Sequence, residues 1–205
     1  MDMPFETVSL NGSNTDVLSE TYAALREKFE AEPTGHIDFQ VEGFSVFSHY
    51  AGITIRSSYV IRTATDSCYI MFVETFIKTL SPRGSNIEHL DYQVWGLGFL
   101  KHDAGRVMIR PETFVDKLAE LVYAIELDFK DDKAFSNSFY VIADDRYKAS
   151  AALTPGFRKA LLDIRKQDYV IEINEHTFII GNRKPISPDG ATRLGELVCK
   201  LVSNQ

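Results

Sequence analysis

From residue 15 to residue 31 the chain repeats with a period near 3.6. Leu18, Thr21, Tyr22, Leu25 and Phe29 share one side, with Glu20, Arg26, Glu27, Lys28 and Glu30 on the other. This spacing predicts an amphipathic helix, stopped at Pro33-Thr34-Gly35. The period then falls to two. In "HIDFQVEGF", Ile37, Phe39 and Val41 alternate with Asp38, Gln40 and Glu42, the pattern of a strand with one wet face. Phe44 breaks the parity, so Gly43 is expected to form a bulge. In "GITIRSSYVIR" the alternation predicts that Ile53, Ile55, Tyr59 and Ile61 share one face, with Thr54, Arg56, Ser58 and Arg62 mostly on the other. "CYIMFVETFIK", Cys68 to Lys78, is apolar on both parities and is expected to be a central strand.

Beyond the polar loop Leu80–Asn86, "DYQVWGLGFL" and "RVMI" flank "KHDAG", which predicts a hairpin with Gly105 at a left-handed position. "IRPETFVDKLAELVYAI" predicts a helix with Pro111 at its first position and Phe114, Leu118, Leu121, Val122 and Ile125 in one stripe. A polar crossing, "LDFKDDKAFSNS", leads to a strand at Phe139–Ala143 and a short helix at Tyr147–Leu153. A helix at Pro155–Lys166, a hairpin "YVIEINEHTFII" and a helix at Pro188–Val202 follow. Neighbouring strands with helices at intervals predict a single α+β domain over 1–205, a mainly antiparallel sheet carrying four to five helices. A subdivision, if any, falls near 126–138.

Asp144 and Asp145 stand between the Phe139 strand and the next helix. Paired carboxylates do acid–base chemistry only where their environments push their pKa values apart, or where they hold a metal. Adjacent residues at a strand end diverge, and no D-x-D, H-x-H or E-x-x-H follows. The expected role of Asp144 and Asp145 is therefore to cap, with Thr154 capping the next helix and Pro155 at its first position. The pattern Phe139-x-Val141-x-x-x-Asp145, then Leu153-Thr154-Pro155-x-Phe157 and Leu161-Leu162, resembles a segment of an uncharacterised bacterial family. In that family the segment lies in a soluble domain that often follows membrane helices. The resemblance covers residues 139–180. It implies no catalytic residue, and this chain departs from it in having no apolar run of membrane length.

Composition narrows the picture. With 44% hydrophobic, 12% aromatic and 25% charged residues, 205 residues can bury a full core. A net charge of −7 argues against nucleic acid as a partner. Arg158-Lys159, Arg165-Lys166 and Arg183-Lys184 lie among acidic neighbours, as solvated faces do. Cys68 and Cys199 have neither disulfide-framework nor zinc spacing and are expected to be buried and reduced. The N-terminus has no signal-peptide pattern, so a cytoplasmic location is expected.

Candidate chemistry is sparse. His102-Asp103 and Glu175-His176 sit in predicted turns, where such residues serve solvation. Gly96 and Gly98 are interleaved with bulky residues and do not make a dinucleotide loop. Tyr92, Trp95 and Phe99 could form an aromatic platform. Arg56 and Arg62 could line a sheet face and receive an acidic partner. No metal or cofactor is implied, and homo-oligomerisation is left open. The expectation is a non-enzymatic binding or scaffold module recognising a protein partner. One alternative is a hydrolase or transferase with a composite site drawn from His102, Asp103, Asp144, Glu172 and His176. The other is an immunity or inhibitor protein against a basic toxin.

Overall fold

The computed structural model describes residues 12–35, 37–80, 86–111 and 125–205. In chain order these form helix α1 (Gly12–Phe29) and strands β1 (Glu32–Pro33), β2 (Gly52–Arg62), β3 (Ser67–Leu80), β4 (Asn86–Phe99), β5 (Arg106–Pro111) and β6 (Ile125–Glu126). Helix α2 (Lys133–Ser136), strand β7 (Phe139–Ala143) and helices α3 (Arg146–Ala152) and α4 (Pro155–Leu162) follow. Strands β8 (Val170–Asn174) and β9 (Thr177–Gly181) and helix α5 (Pro188–Ser203) complete the chain. The nine strands make one sheet in the order β1-β2-β3-β4-β9-β8-β5-β7-β6. Every pairing in it is antiparallel, so the fold is α+β.

One face of the sheet is covered by helices. Leu194, Leu197, Val198, Leu201 and Val202 of α5 are buried with Ile70, Phe72, Phe178 and Ile180 of the sheet. Gly96 and Gly98 make this contact possible. A Cβ on Gly98 would lie 2.7 Å from Val202 Cγ1, and one on Gly96 would collide with Val198. The two glycines that break the apolar run of β4 therefore seat a helix. A Cβ on Gly195 would meet the Phe29 ring at 2.8 Å, so α1 approaches α5 equally closely. α1 ends at Phe29 because Glu30 turns left-handed (φ 54°). Pro33 lies beyond, on the edge strand β1, where a missing N–H costs nothing.

The other face is covered by residues 37–50, which are not the expected strand. They form two 3₁₀ turns, Val41–Gly43 and Ser45–Phe47. Asp38 Oδ1 accepts the Gln40 N–H (2.9 Å) and Gln40 is left-handed (φ 49°), which breaks the extended run. Gly43 lies in the first turn and makes no bulge. Val41, Phe44, Val46 and Phe47 plug down onto Met71, Val73, Trp95, Leu97, Met108 and Ile179. Alternating apolar residues describe this plug as well as they describe a strand. What the periodicity lacks is the uncovered sheet face that takes the segment. Glu172, on β8, holds it there: its two carboxylate oxygens accept the N–H groups of Ser45 (2.9 Å) and Val46 (2.8 Å).

Two more expectations give way for non-local reasons. The bulge in this region lies in β2, where the register shifts between Ile55 and Ser57, with Arg56 as the extra residue. It reverses the face of everything beyond it. Ile53 and Ile55 pack with the 37–50 plug, whereas Tyr59 and Ile61 pack under the helices. β4 and β5 are not a hairpin either, because β9 and β8 insert between them. Gly105 is left-handed (φ 68°), but its turn locks onto the β8–β9 turn: Ala104 N–H donates to Glu175 O (2.9 Å) and Glu175 N–H to Gly105 O (2.8 Å). Pro111 closes β5, and residues 112–124 of the helix expected after it lie outside the described residues, as does the loop interior 81–85. Arg158 is no solvated side chain. It is 4% exposed, donates to Asp131, Asp132 and the Leu153 carbonyl, and stacks over Phe129, tying the 127–132 crossing to α4.

Candidate functional site

The aromatic stretch of β4 divides between the two faces. Tyr92 points under the helices and is 5% exposed, and Trp95 is 2% exposed beneath the plug. Burial and the nearby Glu74 carboxylate push the Tyr92 hydroxyl up to about 12. The Trp95 ring meets Phe47 at 4.7 Å and its indole N–H donates to Gln93 Oε1 (3.1 Å), whose amide group reaches the Tyr50 hydroxyl (2.8 Å). Both rings serve the interior. Phe99, the last residue of β4, is 50% exposed. Its ring meets Tyr69 edge-on at 6.2 Å, and Tyr69 meets Phe39 at 5.3 Å. Phe39, Tyr69 and Phe99 form an aromatic rim where the plug ends and the sheet face opens.

Arg56 and Arg62 do not gather on that face. At the bulge, Arg56 binds the Glu74 carboxylate through Nε and Nη2 (2.9 and 2.7 Å), a pair only 13% and 12% exposed. Arg62 pairs with Glu32 in solvent.

The carboxylates and histidines named above are engaged in local structure. Asp145 Oδ1 accepts the N–H groups of Tyr147 (2.8 Å) and Lys148 (3.1 Å) and caps α3. Asp144 Oδ1 instead accepts the Arg106 N–H (2.9 Å), tying β7 to β5. Thr154 caps α4 by accepting from the Phe157 N–H, with Pro155 in the first turn. Asp103 lies between the Lys148 ammonium (2.7 Å) and the Gly105 N–H (2.8 Å), and Lys148 holds its carboxyl below the usual range. His176 Nδ1 lies 3.2 Å from the Leu100 carbonyl, and His102 is exposed. Asp103, Asp144 and His176 thus share the turn-bearing end of the sheet, while Glu172 is committed to the plug. Among the described residues no group of three or more His, Cys, Asp or Glu could hold a metal, and no helix is long and apolar enough to cross a membrane.

Cys68 and Cys199 bring their sulfurs to 3.6 Å, linking β3 to α5. The contact with Cys199 and burial push the Cys68 thiol up, and the same contact lowers Cys199. Sequence spacing could not reveal this pair, because it joins residues 131 positions apart. Tyr69 was equally hidden, and Glu172 stood only among the composite-site candidates, its hold on the 37–50 segment unseen. A lone Glu inside "YVIEIN" carries the only hint, an acid at the centre of an otherwise apolar strand.

The described chain is thus an α+β protein whose polar groups terminate, clamp and pair its elements around one antiparallel sheet. No family model matches it, and the search of curated proteins gives no match. Among solved structures it is similar to the crystal structure of the mycobacterial trehalose monomycolate transport factor A, TtfA. The TM-score is 0.54 and the identity 7%, over 90% of each chain. At that identity the likeness concerns the fold alone.

Proposed function

We propose that this protein is a non-enzymatic binding module that recognises a protein partner through the aromatic rim of its sheet. The half-exposed ring of Phe99 carries the proposal: it ends a buried strand, is backed by the half-buried Tyr69 and Phe39, and leaves half of its own surface in water. Aromatic anchors of this kind dominate binding energy at interfaces. Support against catalysis comes from the polar groups themselves, since Glu172, Asp144, Asp145 and Asp103 each spend their acceptors on backbone N–H groups or a lysine. TtfA is a transport factor, and the likeness to it is one of architecture. Its cargo is not transferred, because 7% identity aligns no site.

The test is co-purification from the native host with wild-type and Phe99→Thr protein at low and high salt. Thr keeps the strand preference while removing the ring. The expected result is a partner retained by wild type at both salt concentrations and lost by the variant, with unchanged melting temperature. A partner held equally by both proteins would refute the rim. A partner lost only at high salt would favour electrostatic capture of a basic protein instead.

A further inference from the structure

A cavity of about 270 Å³ lies at the end of β8 and β9 away from their turn, between the chain after α4 and the first turn of α5. Lys166, Lys184 and Arg193 line it, and none of the residues lining it is acidic. Lys184 also reaches Asp168 (3.3 Å). Neither Lys166 nor Arg193 pairs with a carboxylate among the described residues. Ser187 caps α5 by accepting the Gly190 N–H (3.2 Å), so the positive end of a 16-residue helix faces the same space. The first-turn carboxylate, Asp189, does not line it.

A second observation is independent of the helix. Tyr169 lines the cavity yet is 3% exposed, and its hydroxyl makes no hydrogen bond with any described residue. Burial raises its pKa, so it stays a neutral donor, with Arg193 close enough to act on it electrostatically. With the ring buried and no protein acceptor taken by the hydroxyl, its O–H is available to whatever occupies the cavity. Val94 and Leu194 add an apolar part to the lining.

We infer that this cavity binds a small phosphate monoester. Three cations, a helix N-terminus and a hydroxyl donor without a protein acceptor match a compact dianion better than a single carboxylate. The volume equals roughly nine waters at about 30 Å³ each, which admits a phosphate group with a short carbon skeleton against Leu194. This site is separate from the aromatic rim, and its test does not involve a protein partner.

Isothermal titration calorimetry with glycerol 3-phosphate tests it, with glycerol and succinate as controls. The expected result is saturable binding of glycerol 3-phosphate, none of glycerol, and weaker binding of succinate. Arg193→Gln should weaken the phosphate ester by about tenfold, and Tyr169→Phe, which removes only the hydroxyl, by about fivefold. Arg62→Gln, an exposed cation outside the cavity, should change nothing. The absence of saturable heat up to about 10 mM would overturn the inference. So would succinate binding as tightly as the ester, or equal losses in all three variants. Should Tyr169→Phe fold poorly, the exposed Arg193 variant still decides the matter.

Discussion

Glu172→Ala should detach the plug from the sheet without touching its apolar contacts. Glu172 is 7% exposed, and its two oxygens accept the Ser45 and Val46 N–H groups at 2.9 and 2.8 Å. Hydrogen bonds to a charged group contribute about 1.5–3 kcal/mol each, and orphaned buried donors cost about 1–3 kcal/mol each. These quantities overlap and do not add, so a loss of about 3 kcal/mol is expected. Glu172→Gln keeps one acceptor but turns its amide N–H₂ toward the second donor, for a loss of about 2 kcal/mol. For a chain of this size about 3 kcal/mol corresponds to a melting point lower by roughly 6–12 °C. Urea unfolding should show a lower midpoint with little change in slope. Hydrogen exchange should show lost protection at Ser45 and Val46. If Glu172→Ala stays within about 0.5 kcal/mol of wild type and those amides remain protected, the clamp argument is wrong.

Four other outcomes follow from the packing and the titrations. Gly98→Val should cost at least about 1–3 kcal/mol by calorimetry, because its side chain would occupy the space of Phe178 and Val202. Arg158→Leu should cost about 2–4 kcal/mol, since it leaves Asp132 and the Leu153 carbonyl without their donor. With limiting iodoacetamide, Cys199 should be alkylated in the native state and the buried Cys68 only after unfolding, as read by mass spectrometry; equal rates would contradict the opposite shifts of the two thiols. Tyr92 sits near 10 when unfolded and is raised to about 12 in the fold, so its contribution to stability is fully present below pH 10. That contribution fades as pH rises through about 12. Denaturation midpoints should therefore hold from pH 7 to about 10 and then fall.

The C-terminal third was nearly legible residue by residue, because its signals are local. Asp145 and Thr154 cap where such residues cap, Pro155 enters a first turn, and the stripe of α5 repeats at three and four. The β8–β9 hairpin closes within a two-residue turn whose Glu175 is left-handed. The central sheet was legible as strands but not as an order. Nothing in "DYQVWGLGFL" says that β9, roughly eighty residues later, is its neighbour. Three errors have that one root. The 37–50 plug, the reversed faces of β2 and the β4–β5 pairing all depend on which distant surface needs cover. The site followed the same rule. Phe99 was visible as an aromatic near a turn, but its exposure, and the burial of Tyr92 and Trp95, are set by α5 and the plug.

The most direct test of the binding proposal is hydrogen–deuterium exchange on the complex with the partner that wild type retains and Phe99→Thr loses. The account predicts added protection at the backbone around Phe39, Tyr69 and Phe99, with the turns holding Asp103, Asp144 and His176 unchanged. Protection centred on those turns, with the rim unaffected, would contradict it.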